Sequence, residues 1–232
     1  MDTRPRGRTW LLLIVSGALA ACGARQEPAS PMKTILVTGF GPFLGVTENP
    51  SFEALRPLEG AVIGQSRIVT AQLDVTYAGA PEQLEAAIRR TRPDLVLCLG
   101  VAGDAAIRLE STARNQDTAA SADTAGEVRQ GRTIRADAPA SLPTRLPLAK
   151  LRAALRADGF EVLDSEDAGG YLCNHVFYEL LTRRPTGIAG FIHVPPMAPP
   201  WDLPRLTRAL RRILAVLDAE LLRPAPPSGA GR

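Results

Sequence analysis

The sequence predicts an α/β fold, a single-domain three-layer α/β/α sandwich with a mostly parallel central sheet. Three observations carry this expectation. Short β-branched runs alternate along the chain with longer segments of helical period. Most of those runs are apolar on both faces, the pattern of strands covered by helices on either side. About 200 residues remain once the two termini are set aside, enough for one core and little more. Successive parallel strands need a crossover, and a helix is the usual one.

The first element stands outside that fold. Arg4, Arg6 and Arg8 precede the apolar run WLLLIVSGALAA, too short to span a bilayer as a mature helix, so residues 1–21 read as a signal peptide. Leu19-Ala20-Ala21-Cys22 resembles a bacterial lipobox, in which Cys22 is the lipidation site and residues 22–31 are a lipid-anchored tether. The expectation that follows is an exported protein, lipid-anchored to a bacterial membrane, with Gly23 favouring an outer-membrane, periplasmic or surface face. The alternative is an ordinary signal with Cys22 incidental.

The strands then follow as MKTILVTGF, SRIVTAQLDV, PDLVLCLGV, GFEVLDS and GIAGFIHV. Between and after them APEQLEAAIRRTRP, PLAKLRAALRADG, CNHVFYELLTRR and PRLTRALRRILAVLDAELL repeat apolar residues three and four apart, with basic residues late in each segment. The α/β domain is thus expected over residues 32–222. Residues 223–232 form a Pro/Gly-rich tail expected to be disordered.

Composition excludes several functions. The net charge of +3 falls to +1 without the three Arg and one Asp of residues 1–21, so nothing argues for a nucleic-acid partner. Two histidines and no CxxC give no metal-ligand spacing, so neither metal nor cofactor is expected. Gly39, Gly41 and Gly45 are spaced one residue too long for a dinucleotide fingerprint, and the following helix starts late, near Asn49-Pro50. The loop instead presents Phe40 and Phe43 to a small ligand, or plugs the core with them. Of the cysteines beyond Cys22, Cys98 lies in an apolar strand and reads as packing, and Cys173 as unpaired.

Cys173 follows Gly169-Gly170-Tyr171-Leu172 and opens a helix. A thiol there sits in the positive potential of free first-turn N–H groups, which favours a thiolate nucleophile and holds an oxyanion; the competing role is packing. His193 ends a strand before Val194-Pro195-Pro196, at the edge where open α/β sheets place their sites, so it reads as the base or as a buried structural histidine. His175, two residues from Cys173 on one helix, points elsewhere and reads as a surface or capping residue.

Three segments resemble one family in order and spacing. ILVTGFGPFLGVTENPSFEAL resembles the amino-terminal signature, DAGGYLCNHVFYELL the nucleophile segment and GFIHVPPMAP the histidine segment of the pyrrolidone-carboxylate peptidases, also called type-one pyroglutamyl peptidases. The resemblance spans Met32 to about Leu222. It implies a cysteine peptidase that cuts the amide bond after an N-terminal pyroglutamyl residue of a small peptide, acting as a homotetramer through a Glu-Cys-His triad. Cys173 matches the nucleophile and His193 the base, Phe40 and Phe43 match rings flanking the lactam, and Tyr171 and Leu172 border the same site. Glu110 falls on the triad glutamate when GVAGDAAIRLESTARN is aligned on Ile107, Ala113 and Asn115. That alignment carries a one-residue deletion and puts Asp104-Ala105-Ala106 where the family has an arginine segment, so Asp104 and Asp117 stand as other candidates to orient the imidazole. Two further functions compete: a lipid-anchored homologue that binds pyroglutamyl peptides without cutting them, and a thiol hydrolase of another blocked amide.

Overall fold

A computed structural model describes residue 1 and residues 31–43, 45, 47–184 and 186–223. The expected signal peptide, the tether from residue 22 apart from Pro31, Cys22 itself and the tail beyond Arg223 lie outside the described residues. Contacts divide the chain into residues 1–31 and 32–232, and the second unit holds every element that follows.

The elements are β1 (Lys33–Phe40), α1 (Pro50–Glu53), a 3-10 turn (Arg56–Leu58), β2 (Val62–Ile63), β3 (Ser66–Leu73), α2 (Gly79–Thr91), β4 (Leu95–Val101), β5 (Ile107–Glu110), β6 (Thr112–Arg114), β7 (Gln116–Asp117), β8 (Arg132–Thr133), β9 (Ser141–Pro143), α3 (Leu148–Ala157), β10 (Val162–Ser165), α4 (Leu172–Arg183), β11 (Ile188–Val194) and α5 (Leu203–Leu221). Seven strands make the central sheet in the order β10-β5-β11-β4-β1-β3-β2. Strands β3, β1, β4 and β11 are mutually parallel. The short strand β5 runs antiparallel to β11 and parallel to β10, and β2 closes the far edge as a hairpin with β3.

The continuous apolar strands split their side chains between two helical layers, because successive Cβ atoms leave a strand on opposite faces. Ile35, Val37, Leu95 and Leu97 pack with Leu151 and Leu155 of α3 and Leu206, Leu210, Ile213 and Leu217 of α5. Leu36, Val96 and Cys98 pack with Leu84 of α2 and Val176, Phe177 and Leu180 of α4. Helix α5 starts where Asp202 caps it, Oδ1 accepting from the Arg205 N–H at 2.7 Å, with Pro204 in its first turn. Cys98 is a core residue: burial pushes its thiol up to about 12, with Thr38 pulling weakly the other way. No helix among the described residues is long and apolar enough to cross a membrane.

Candidate active site

The loop after β1 is shaped by Asn49 and Ser51, both buried. The Phe40 N–H donates to Ser51 Oγ at 3.0 Å, the Ser51 hydroxyl and N–H donate to Asn49 Oδ1 at 2.8 and 3.1 Å, and Asn49 Nδ2 donates to the Gly41 carbonyl at 3.0 Å. Asn49 is at the same time the cap of α1. This knot turns the chain so that Phe40 and Phe43 wall a small, mainly apolar pocket of about 90 Å³, with Tyr171, Leu172 and Cys173 on its other side. Phe40 also belongs to the core, at 4 % exposure, whereas Phe43 only packs against it. The Tyr171 hydroxyl donates to the Ala122 carbonyl at 2.9 Å, which fixes that wall.

Cys173 sits in the first turn of α4, after an extended Tyr171 that offers no side-chain cap. The first N–H groups of that turn have no intrahelical acceptor and are left as free donors beside the pocket residues Leu172 and Cys173. The approach of the chain is tight. The Gly170 carbonyl accepts the Thr118 and Ala119 N–H groups, both at 2.9 Å, and a Cβ on Gly170 would come within 1.8 Å of Thr118 Oγ1. Across the sheet edge, a Cβ on Gly100 would stand 2.6 Å from Cys173 Sγ, so the thiol rests against bare backbone at the end of β4.

His193 lies opposite Gly100 in the β11–β4 register, which brings it to Cys173. Its Nδ1 is 2.7 Å from Oε1 of Glu110, a side chain with no exposure to solvent. Burial disfavours the imidazolium, but the Cys173 sulfur and then the Glu110 carboxylate outweigh it and raise His193 to about 9. Glu110, Cys173 and His193 come from β5, α4 and β11, and they meet where the apolar pocket opens into a wider cleft bordered by Gly103, Arg108 and Asp167. The arrangement can hold a thiolate beside an imidazolium whose second ring nitrogen is fixed by a carboxylate, the apparatus of acyl transfer.

The other candidates are placed elsewhere. Asp104 accepts from Arg108 Nη1 at 3.0 Å. Asp117 faces His175 Nδ1 at 3.0 Å and Arg129 at 3.7 Å. The expectation that His175 is a surface or capping residue is therefore corrected: it is buried at 3 % exposure, because the face of α4 turned from Cys173 packs on the segment around β7 rather than on water. Its neighbour Asn174, fully buried, bonds the Arg114 backbone N–H and carbonyl at 2.8 and 2.9 Å. Sequence reasoning passes over Asn49, Ser51, Asn174 and Arg108. For the first pair the signal was the S/N-cap chemistry of ENPS; for the others no local pattern exists. Among the described residues no three His, Cys, Asp or Glu side chains group as metal ligands would.

The model of the pyroglutamyl peptidase family matches residues 33–201. The pyrrolidone-carboxylate peptidase of Cupriavidus taiwanensis is 38 % identical over 199 residues, which are 79 % of this chain and 92 % of that protein. That of Bacillus amyloliquefaciens is 35 % identical over 200 residues, covering 81 % and 93 %. Among solved structures, the B. amyloliquefaciens pyroglutamyl peptidase I superposes with a TM-score of 0.78 at 33 % identity, over 82 % of this chain and 98 % of that one. A mutant pyrrolidone carboxyl peptidase of the hyperthermophile Pyrococcus furiosus gives 0.77 at 30 % identity, over 82 % and 100 %. These findings correct the expected location. The relatives that the chain covers nearly end to end are named as peptidases, and none of these matches supports export or a lipid anchor at Cys22, so both are withdrawn.

Proposed function

The chain belongs to the pyroglutamyl peptidase family, and from that premise we propose that Cys173, His193 and Glu110 form the triad with which it removes an N-terminal pyroglutamyl residue from peptides. The activity is that of a thiol-dependent pyrrolidone-carboxylate peptidase, and the catalytic unit lies within residues 32–222. The observation that carries the residue assignment is the convergence of these three side chains at the mouth of an apolar pocket walled by Phe40 and Phe43.

Pyroglutamate is a neutral five-membered lactam without a free amine, so its site calls for an apolar slot and a few hydrogen bonds rather than a carboxylate. The pocket suits this: its lining is mainly aromatic and aliphatic, with Asn49 as the polar side chain. With the lactam seated there, the Cys173 thiolate attacks the carbonyl carbon that joins it to the next residue. The carbonyl π pair moves onto oxygen, held by first-turn amides of α4. Collapse of that adduct breaks the C–N bond as His193 gives its proton to the leaving amine, which departs through the wider cleft. Water then loses a proton to His193 and adds to the thioester, expelling the thiolate and releasing pyroglutamate. Glu110 holds the imidazole in the tautomer that both steps need.

Turnover of a pyroglutamyl fluorogenic amide by the purified chain in reductant tests the reading, with Cys173→Ala as the control that must be silent. A chain that cleaves other blocked acyl amides and leaves pyroglutamyl amides intact would overturn it. The homotetramer implied by the resemblance is likewise a proposal, checked by light scattering on the same preparation.

A further inference from the structure

We infer that Arg108 is a positioning residue, the countercharge that keeps Glu110 an anion throughout the catalytic cycle. The inference rests on the triad reading given above. Glu110 is wholly buried, its Oε1 accepts from His193, and its Oε2 has no hydrogen-bond partner. A buried carboxylate so poorly solvated takes up a proton unless a positive charge stands by. Arg108, with Nε 3.5 Å from Oε1, is the one Arg or Lys within 4.0 Å of the Glu110 carboxylate among the described residues. The strand geometry makes this placement systematic. Arg108 and Glu110 are two apart on β5 and so share a face, and Arg108 is the register partner of His193 across the antiparallel β5–β11 pair.

The guanidinium is itself held from behind. Nη1 donates to Asp104 Oδ2 at 3.0 Å, and Nη2 donates to Ser165 Oγ at 2.9 Å and to the Asp167 carbonyl at 3.3 Å. The charged and titratable groups around Glu110 are thus His193 from β11, Cys173 from α4, Asp104 before β5, and Asp167 after β10, the last paired with Arg114 at 3.3 Å.

The need for Arg108 is greatest in mid-cycle. Before attack, the imidazolium supplies Glu110 with a positive partner. Once His193 has passed its proton to the leaving amine, the imidazole is neutral; without a countercharge on Glu110, a proton from water could settle on the other ring nitrogen as the Nδ1 proton passes to the carboxylate, which leaves the wrong tautomer. With Arg108 in place the carboxylate stays ionised, keeps Nδ1 as the donor, and leaves the other ring nitrogen free to deprotonate water.

Arg108→Gln and Arg108→Lys test this through kcat, KM and their pH profiles, and through the pH dependence of Cys173 alkylation by iodoacetamide, read by mass. Loss of the positive charge favours the protonated form of every neighbour, so Arg108→Gln is expected to move both limbs of kcat/KM, and the alkylation limb, upward by about half to one pH unit. It should lower kcat by roughly 10- to 100-fold at neutral pH with KM nearly unchanged, and Arg108→Lys should restore the limbs. Unmoved limbs in Arg108→Gln, whether or not the melting temperature drops, would overturn the inference and leave Arg108 as packing. If the wild-type chain fails to cut pyroglutamyl amides yet the alkylation limb still shifts in Arg108→Gln, the countercharge stands and the substrate reading falls.

Discussion

Nδ1 of His193 stands 2.7 Å from a Glu110 oxygen that water does not reach. Burying such a pair costs desolvation, so breaking one side, which leaves the other uncompensated, does more harm than breaking an exposed pair. Glu110→Gln keeps the shape but offers His193 an amide that cannot stabilise an imidazolium. We expect kcat to fall by about 10² to 10⁴ with KM little changed. A near-normal kcat in that variant would show that the imidazole needs no carboxylate here, since Asp104 and Asp117 are engaged by Arg108 and His175.

The raised His193 sets the pH range. It must hold a proton to release the amine, so kcat/KM should decline on an alkaline limb near 9. The stability consequence has the same sign. With a folded value above the ordinary 6.5, the stability contributed by His193 is complete below about 6.5 and is lost as pH rises through about 9. Cys173→Ala removes the largest favourable cause, so the decline of stability across that window should become shallower, as denaturant melts at several pH values would record. An unchanged slope in Cys173→Ala would contradict the coupling of the two side chains.

Gly100→Ala tests how closely the nucleophile is seated. The new methyl would meet Cys173 Sγ at 2.6 Å and the Phe191 ring at 2.9 Å, and something must move. A displacement near 1 Å is enough to cost on the order of 10² in kcat. Wild-type turnover in this variant would mean that the thiol works from another rotamer.

The two rings of the pocket should respond differently. Phe43, half-buried in the loop, is expected to raise KM when changed to Ala and to spare the fold. Phe40 is a core residue as well as a wall, so Phe40→Ala should raise KM and also destabilise by about 3–5 kcal/mol. Equal melting temperatures for the two variants would show that Phe40 bears no core load.

His175→Ala separates folding from chemistry. It strips buried Asp117 of an imidazole hydrogen-bond partner, a loss of about 1–3 kcal/mol. Activity per alkylatable Cys173 should stay within a few-fold of wild type, because His175 does not face the thiol. A fall as deep as that of His193→Ala, with the thiol count intact, would reverse the two assignments.

The strands and long helices were legible in the sequence because their patterns identify them: β4 is apolar throughout, β1 carries the apolar run Ile35–Val37, and α5 repeats its leucines at helical spacing. Strand β5 was not, since the alternation in IRLE lasts only four residues, and its antiparallel course depends on where β11 enters the sheet. Cys173 and His193 could be named from their places at a helix start and a strand end. The burial of His175 could not, because the segment that covers it, around Asp117, comes from a part of the chain without regular pattern. Arg108 was invisible for a related reason: its meaning lies in the cross-strand register with His193. The amino-terminal pattern pointed to an exported location that the matched peptidases do not support, because it is a purely local signal of composition.

The sheet order has a consequence for synthesis. Strands β4 and β5 are neighbours in sequence, yet β11, made more than seventy residues later, lies between them. Until β11 arrives, a growing chain carries two open sheet edges in its middle, the kind that invite pairing with other chains. The late strand that seals those edges also delivers His193. A truncated chain ending before residue 188 therefore lacks the proposed base and the central strand together.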